Sequence, residues 1–191
     1  NIIGGSATFF SIAASQYNPV NLIGIVGDDF PQSGWDLFKK YNINTDLITI
    51  KNGSTFNWGG KYSSDYSTRE TLYTNLGVFE NYIPEINTDI NTEYLYLGNI
   101  QPSLQLDVIN KIKKKKRIVS DTMNLWINLD QDGLWDVIKQ SNIFLLNDEE
   151  AIELTNKTNL YEIANDFLEI GPDIVIIKKG AHGCLLVSKK Q

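Results

Sequence analysis

The sequence predicts an α/β fold with a mainly parallel sheet flanked by helices and a small antiparallel β insertion. Apolar runs of the length of a buried strand recur along the chain, at residues 20–26, 94–97, 118–120, 143–146 and 174–177. Helical patterns lie between these runs, at residues 6–17, 32–41, 103–114, 133–140, 148–154 and 160–170. Because strand and helix alternate through most of the chain, we expect a parallel sheet covered by helices.

The stretch from about residue 45 to 82 breaks this alternation. It is rich in β-branched and aromatic residues, contains the pair Gly59-Gly60 and lacks a helical period. We predict short antiparallel strands here, at residues 48–50, 56–58, 61–63 and 71–73. Such a β insertion is expected to act as a lid, and its aromatic side chains also suit a homodimer interface. An ordinary β excursion without a special role is the alternative.

Composition narrows the class of protein. The 191 residues carry a net charge of −6, with 17 basic and 23 acidic side chains, which argues against a nucleic-acid or anionic-membrane partner. Cys184 is the single cysteine, so no intrachain disulfide can form and a cytoplasmic location is expected. The basic run 111–117 lies at a predicted helix end, where cations complement the helix dipole. We interpret it in that way rather than as a nucleic-acid patch.

Both ends of the sequence favour a partial domain. The chain opens directly on Ile2-Ile3-Gly4-Gly5 and stops soon after a predicted strand at residues 184–187. We therefore expect residues 1–191 to form a single partial domain whose first strand and C-terminal part lie outside the sequence.

Gly4 and Gly5 precede the first predicted helix. Glycines there let backbone N–H groups approach a polar ligand at the positive end of a helix. The alternative is that they only permit tight packing between strand and helix.

In Gly27-Asp28-Asp29-Phe30, the two carboxylates either bind a metal or start the next helix, and we favour the helix start.

Three further motifs follow strands whose carboxyl ends should share one edge of the parallel sheet, where open α/β sheets bind ligands. Asp121 and Asn124 form a D-x-x-N pattern that suits a ligand contact or a capped turn. Asn147 and Glu150 suit either a capping box or, with Asp148 and Glu149, a hydrated Mg²⁺. Lys178 and Gly180 suit a nucleotide-phosphate contact or a simple turn between strands.

The order of these motifs resembles that of the ribokinase-like (PfkB) carbohydrate kinases, and the resemblance spans nearly the whole chain. It implies a Rossmann-like sheet with a β lid, and transfer of the γ-phosphoryl group of ATP, with Mg²⁺, to a hydroxyl of a sugar or nucleoside. A non-catalytic sugar-binding or dimerising module is the rival class. A Rossmann oxidoreductase is disfavoured because no dinucleotide fingerprint is present.

The resemblance also implies roles for individual residues. Gly4 and Gly5 match the family's substrate-contacting glycine pair, and Asn147 and Glu150 match its N-x-x-E element, which organises Mg²⁺ and phosphates. Lys178 and Gly180 fall where a strand-end loop approaches ATP. Asp121 and Asn124 match more loosely a substrate-side D-x-x-N, and Arg69 in the lid is a further expected substrate or phosphate contact.

Two departures from the family pattern stand out. Phe9 occupies the sixth position of G-G-x-x-x-N, where many sugar kinases carry Asn, so a hydrogen bond to a sugar is replaced by an aromatic wall. An aromatic wall suits a nucleoside at least as well as a free pentose. The family's G-A-G-D element, which carries the catalytic base, does not occur in the 191 residues. We therefore expect this chain alone to be inactive.

Overall fold

The computed structural model describes residues 2–64, 69–86 and 89–189. It has the expected α/β fold, with a mostly parallel sheet flanked by helices and a small antiparallel sheet. The chain divides into two compact units, one ending at Glu85 and the other beginning at Ile86. None of the helices in the described ranges is long and apolar enough to cross a membrane.

In the residues that the structure describes, the elements of the first unit are, in order, α1 Ser6–Ala14, β1 Asn21–Gly27, α2 Gln32–Lys40, β2 Asn44–Lys51, β3 Asn57–Tyr62, β4 Arg69–Asn75 and a short 3-10 helix at Gly77–Phe79. Its apolar core is built from Leu22, Phe38 and Ile43, which are nearly inaccessible to solvent. Phe30 and Trp35 pack against this core and meet each other edge to face, and the Phe30 ring is stacked on Phe38. Burial of such aromatic pairs fixes α2 against the β1–β2 pair.

One predicted strand of the insertion belongs elsewhere. Residues 48–50 were expected to be antiparallel, but they lie in β2, which pairs in parallel with β1. The reason is the helix α2 between the two strands, because a crossover of this kind joins parallel neighbours. The antiparallel sheet consists of β3 and β4, and the predicted runs 56–58 and 61–63 merge into the single strand β3 with an irregular register at Gly59-Gly60.

The second unit alternates strand and helix. Its elements are β5 Asn91–Leu97, α3 Pro102–Lys111, β6 Lys114–Asp121, α4 Asn124–Leu129, α5 Gln131–Gln140, β7 Ile143–Asn147, α6 Asp148–Thr155, α7 Leu160–Ile170, β8 Ile174–Lys178 and β9 Cys184–Ser188. The strands form one sheet in the order β5-β6-β7-β8-β9. The first four run parallel, and β9 closes the sheet as an antiparallel hairpin partner of β8.

The core of the second unit lies between β7, β8 and the helices beside them. Phe144 and Phe167 are fully buried and meet edge to face, with ring centroids 5.2 Å apart. Val175 and Ile177 in β8 are equally inaccessible. Each such side chain contributes about 1.5–3 kcal/mol through burial, so these strands and the residues at their ends are held firmly.

The basic run lies differently from expectation. Helix α3 ends at Lys111, and β6 already begins at Lys114, so most of the run is strand. Lys115 nevertheless serves the helix end, because its Nζ donates hydrogen bonds of 2.7 Å to the carbonyl oxygens of Ile109 and Ile112. Lys114 and Lys116 pair with Asp89 and Glu93.

Candidate active site

Three polar residues end neighbouring parallel strands of the second unit. Asp121 ends β6, Asn147 ends β7 and Lys178 ends β8. Asn147 lies directly beside Lys178 in the strand register, and Asp121 pairs with Leu145 of β7. The expected cluster at the carboxyl edge of the sheet is therefore present in the structure.

Asp121 is the most engaged member of this cluster. Its Oδ1 accepts hydrogen bonds from Lys178 Nζ at 2.7 Å and from the backbone N–H of Thr122 at 3.1 Å. Its Oδ2 accepts from the hydroxyl of Tyr96 at 3.3 Å. Burial and the neighbouring Asp121 charge raise the pKa of Tyr96 well above its usual value. Tyr96 is thus kept as a hydroxyl donor.

Lys178 and Gly180 open the turn between β8 and β9. The Lys178 side chain is 42% exposed, whereas that of Asp121 is only 13% exposed. Gly180 has φ of +53° and Gly183 has φ of +83°, backbone conformations that side chains strongly disfavour. The turn closes through a 2.8 Å hydrogen bond from Lys179 N–H to the Gly183 carbonyl. Most residues of this turn are exposed, whereas the ammonium group of Lys178 lies at Asp121, at the end of β6.

Asn147 and Glu150 form a complete capping box at the start of α6. Asn147 Oδ1 accepts from the Glu150 N–H, and Glu150 Oε2 accepts from the Asn147 N–H, each at 2.7 Å. Glu150 is only 5% exposed. Of the two alternatives that the sequence leaves open, the capping box is therefore present in the structure. The role of Asn147 and Glu150 in ligand binding stays a prediction.

The acidic first turn of α6 limits how Mg²⁺ can bind here. Asp148, Glu149 and Glu150 all lie in this turn. No group of three or more His, Cys, Asp or Glu side chains among the described residues is arranged to hold a metal ion. These carboxylates do not form an all-protein cage. Mg²⁺ keeps several waters and needs few protein ligands, and its binding at this turn stays a prediction.

Asn124 is not among the hydrogen-bond partners of the Asp121 carboxylate described above. It begins α4, and its Nδ2 donates to Glu153 Oε2 on α6. Asn128 donates to the other carboxylate oxygen of Glu153 at 2.7 Å. The two residues of the D-x-x-N pattern thus make separate contacts, one across the sheet edge and one between helices.

In the first unit, Gly4 and Gly5 lead into α1. Gly5 is the N-cap residue, with φ of +92°, and its carbonyl accepts the N–H of Phe9 at 3.1 Å. A β-carbon added at Gly4 would lie 3.7 Å from the Phe9 ring, so the ring stands beside Gly4. Phe9 is 65% exposed. The predicted glycine pair and the aromatic wall are therefore adjacent.

Arg69 begins β4, but its side chain lies outside what the structure describes, as do residues 65–68. Its predicted substrate contact stays a prediction.

Asp28 and Asp29 have a role that differs from the expected helix start. Asp28 accepts from Asn52 and Gly53, and Asp29 accepts from the backbone and hydroxyl of Thr55, so both carboxylates hold the loop that follows β2.

Sequence reasoning missed Tyr96 and Gln105. Gln105 in α3 is 1% exposed, and its Nε2 donates to the carbonyl oxygens of Gly98 at 2.8 Å and Asp121 at 3.0 Å. It thereby ties the ends of β5 and β6 together. A glutamine within an otherwise apolar helix face was the available signal, whereas Tyr96 lies in a strand that carries no motif.

The fold and this sheet edge define the chain as a ribokinase-like α/β protein. A family model described as pfkB family carbohydrate kinase matches residues 1–191, so the chain belongs to that family. A cytidine kinase of Thermococcus kodakarensis is 23% identical over 184 residues, which cover 95% of this chain and 65% of the relative.

Solved structures agree on the fold. A nucleoside kinase of Methanocaldococcus jannaschii, an archaeal member of the ribokinase family, matches with a TM-score of 0.75 at 22% identity, covering 98% of this chain and 62% of that one. An E. coli protein solved in complex with ATP and Mg²⁺ matches with a TM-score of 0.76 at 17% identity, covering 98% and 65%. The present chain thus spans somewhat less than two thirds of these relatives.

Proposed function

We propose that the whole protein transfers the γ-phosphoryl group of Mg²⁺-ATP to a hydroxyl group of a sugar or nucleoside. The observation that carries the proposal is the exposed Lys178 ammonium beside the N-terminus of α6 at the carboxyl edge of the sheet. A cation and a positive helix end together suit the triphosphate of a nucleotide. Family membership supports the same chemistry.

On the nucleotide side, Lys178 and the backbone of the Gly180 turn are proposed to contact phosphate oxygens. Asn147 and Glu150 fix the start of α6, so that its N-terminal dipole is directed consistently. Asp148, Glu149 and Glu150 are the residues proposed to hold hydrated Mg²⁺. Phosphoryl transfer depends mainly on positioning and charge neutralisation, and a bound Mg²⁺ supplies part of that neutralisation.

On the acceptor side, the proposed contacts are Gly4, Gly5, Phe9 and Arg69, all in the first unit. The exposed Phe9 ring next to Gly4 offers a flat apolar surface. Such a surface packs against a base or a ring face. This favours a nucleoside acceptor over a free pentose, as does the similarity to a cytidine kinase and a nucleoside kinase.

A binding or dimerising module of the same fold is the second candidate. Apolar side chains are exposed on β4 and just before β3, among them Leu72 and Tyr73 in β4 and Phe56 before β3, which are 60%, 55% and 45% accessible. Exposed apolar surface of this kind marks interaction sites. A homodimer through this lid is therefore compatible with either candidate, and analytical ultracentrifugation of the whole protein and a Leu72→Lys variant tests it.

The activity is tested by incubating the whole protein with Mg²⁺-ATP and a panel of cytidine, adenosine, fructose and ketodeoxygluconate. We expect acceptor-dependent formation of ADP and a phosphorylated product with at least one member, strongest with a nucleoside. A Lys178→Met variant serves as the matched control and is expected to lose most of this activity. Binding of acceptors without any product would instead support the non-catalytic module.

A further inference from the structure

We infer that Asp121 is a positioning residue that holds Lys178 for the nucleotide, and is not a ligand of the acceptor. The inference deepens the proposed function and rests on it. It also reverses the role that the D-x-x-N resemblance implies for Asp121, while keeping the residue important for the reaction.

The Lys178 side chain crosses the sheet edge to reach Asp121. Asp121 ends β6 and Lys178 ends β8, and β7 lies between these two strands. The Lys178 side chain therefore extends over the end of β7 to place its Nζ 2.7 Å from Asp121 Oδ1. A flexible lysine side chain has many rotamers, and fixing one of them requires a strong partner. The Asp121 carboxylate is that partner.

The Asp121 carboxylate already accepts hydrogen bonds on both of its oxygens. Oδ1 accepts from Lys178 and from the Thr122 N–H, and Oδ2 accepts from Tyr96. A carboxylate offers about four lone-pair positions, so these three donors use most of its capacity. An acceptor hydroxyl that bound here would have to displace one of them.

The side chains of Asp121 and Lys178 differ in their exposure to solvent. The Asp121 side chain is 13% exposed, whereas that of Lys178 is 42% exposed. An ammonium has three N–H donors, and Asp121 takes one of them. The accessible side of the pair is thus the cation, which is the side that a phosphate group would meet.

Hydrogen bonds from neighbouring elements also fix the position of Asp121. Buried Gln105 donates to the Asp121 carbonyl oxygen and, through the same Nε2, to the Gly98 carbonyl. Tyr96 donates from β5, the strand beside β6. Position and orientation of Asp121 are therefore set by groups that no ligand needs to touch.

The experiment measures KM for ATP, KM for the acceptor, and kcat for the whole protein and its variants. For Asp121→Asn we expect KM for ATP to rise about tenfold, because one charge-assisted hydrogen bond that holds Lys178 is lost. KM for the acceptor should stay within about twofold of the wild-type value. In a double-mutant cycle, Asp121→Asn adds nothing further to Lys178→Met. A rise confined to the acceptor KM, or additive losses in the double variant, overturns the inference.

Two variants keep the test decisive if Asp121→Asn does not fold. Tyr96→Phe removes the hydrogen bond to Oδ2 of Asp121 and keeps the ring, and we expect a rise of about twofold to fourfold in KM for ATP; an unchanged value overturns the inference. Asp89→Asn, a carboxylate paired with Lys114 on the surface, is the matched control and should change neither KM. Wild-type protein that binds no ATP refutes the proposed function itself, which separates that failure from a wrong role for Asp121.

Discussion

Lys178 Nζ and Asp121 Oδ1 lie 2.7 Å apart although their strands, β8 and β6, are not neighbours in the sheet. The ion pair crosses the end of β7, directly beside the Asn147 cap of α6. It thereby joins two motifs that are 57 positions apart in the sequence. At the carboxyl edge of the sheet, the more exposed Lys178 side chain is therefore held by the largely buried carboxylate of Asp121.

Glu150→Gln separates the capping role of this residue from its proposed action on Mg²⁺. Glutamine also completes a capping box, so we expect the free energy of unfolding, measured in urea, to change by less than about 0.5 kcal/mol. Loss of the charge should raise the Mg²⁺ concentration needed for half-maximal nucleotide binding several-fold. Asn147→Ala is the matched control for the cap and should cost about 1 kcal/mol. An unchanged Mg²⁺ requirement in Glu150→Gln would contradict the metal role.

Phe9→Asn tests the choice between a nucleoside and a sugar. Phe9 is 65% exposed, so the change should hardly affect stability. An asparagine regains a hydrogen bond to a sugar hydroxyl and loses the aromatic wall. We expect the ratio of kcat/KM for ribose to that for cytidine to rise about tenfold, as one hydrogen bond allows. Phe9→Leu loses the ring without gaining the hydrogen bond. It should lower kcat/KM for cytidine and leave kcat/KM for ribose unchanged.

The loop after β2 should respond to pH through Asp29. Hydrogen bonds from the hydroxyl and backbone of Thr55 lower the pKa of Asp29 below its ordinary value. Because the folded pKa is lower than the unfolded one, ionised Asp29 stabilises the fold above about pH 4, and this contribution is lost as pH falls through the folded pKa.

We therefore expect the stability advantage of wild type over Asp29→Asn, measured in urea at several pH values between about 2 and 6, to shrink as the solution becomes more acidic. Asp46→Asn in β2 is the control, since its carboxylate has no recorded hydrogen bond in the part of the chain described. An advantage that grows with acidity would refute this assignment.

Lys115 and Lys116 are adjacent and chemically identical, but they should differ in importance. Lys115 caps two carbonyl oxygens at the end of α3, whereas Lys116 pairs with Glu93 on the surface. Lys115→Met is expected to lower the free energy of unfolding by about 1 kcal/mol. Lys116→Met should have no measurable effect in the same urea titration, because exposed ion pairs contribute little. Equal effects would contradict the capping role.

Most of the secondary structure of the second unit was predictable from sequence. Apolar runs of strand length and intervening helical periods depend on local residue order, and helix α7 was predicted at residues 160–170 with the bounds that it has. The start of β6 was not predictable in this way. Its lysines are unsuited to a buried strand, and only pairing with Asn91 and Thr92 of β5, together with the acidic partners Asp89 and Glu93, stabilises them there.

The sequence by itself determined the class of fold, the family, and the motifs that end the parallel strands, because those features depend on residue type and spacing. Only the tertiary structure decided which of these residues meet. It separated Asp121 from Asn124, brought Asp121 to Lys178 and added Tyr96 as a third partner. The physical reason is that the order of strands in a sheet, set by packing and pairing over the whole unit, fixes which strand ends lie together, and local sequence does not encode that order.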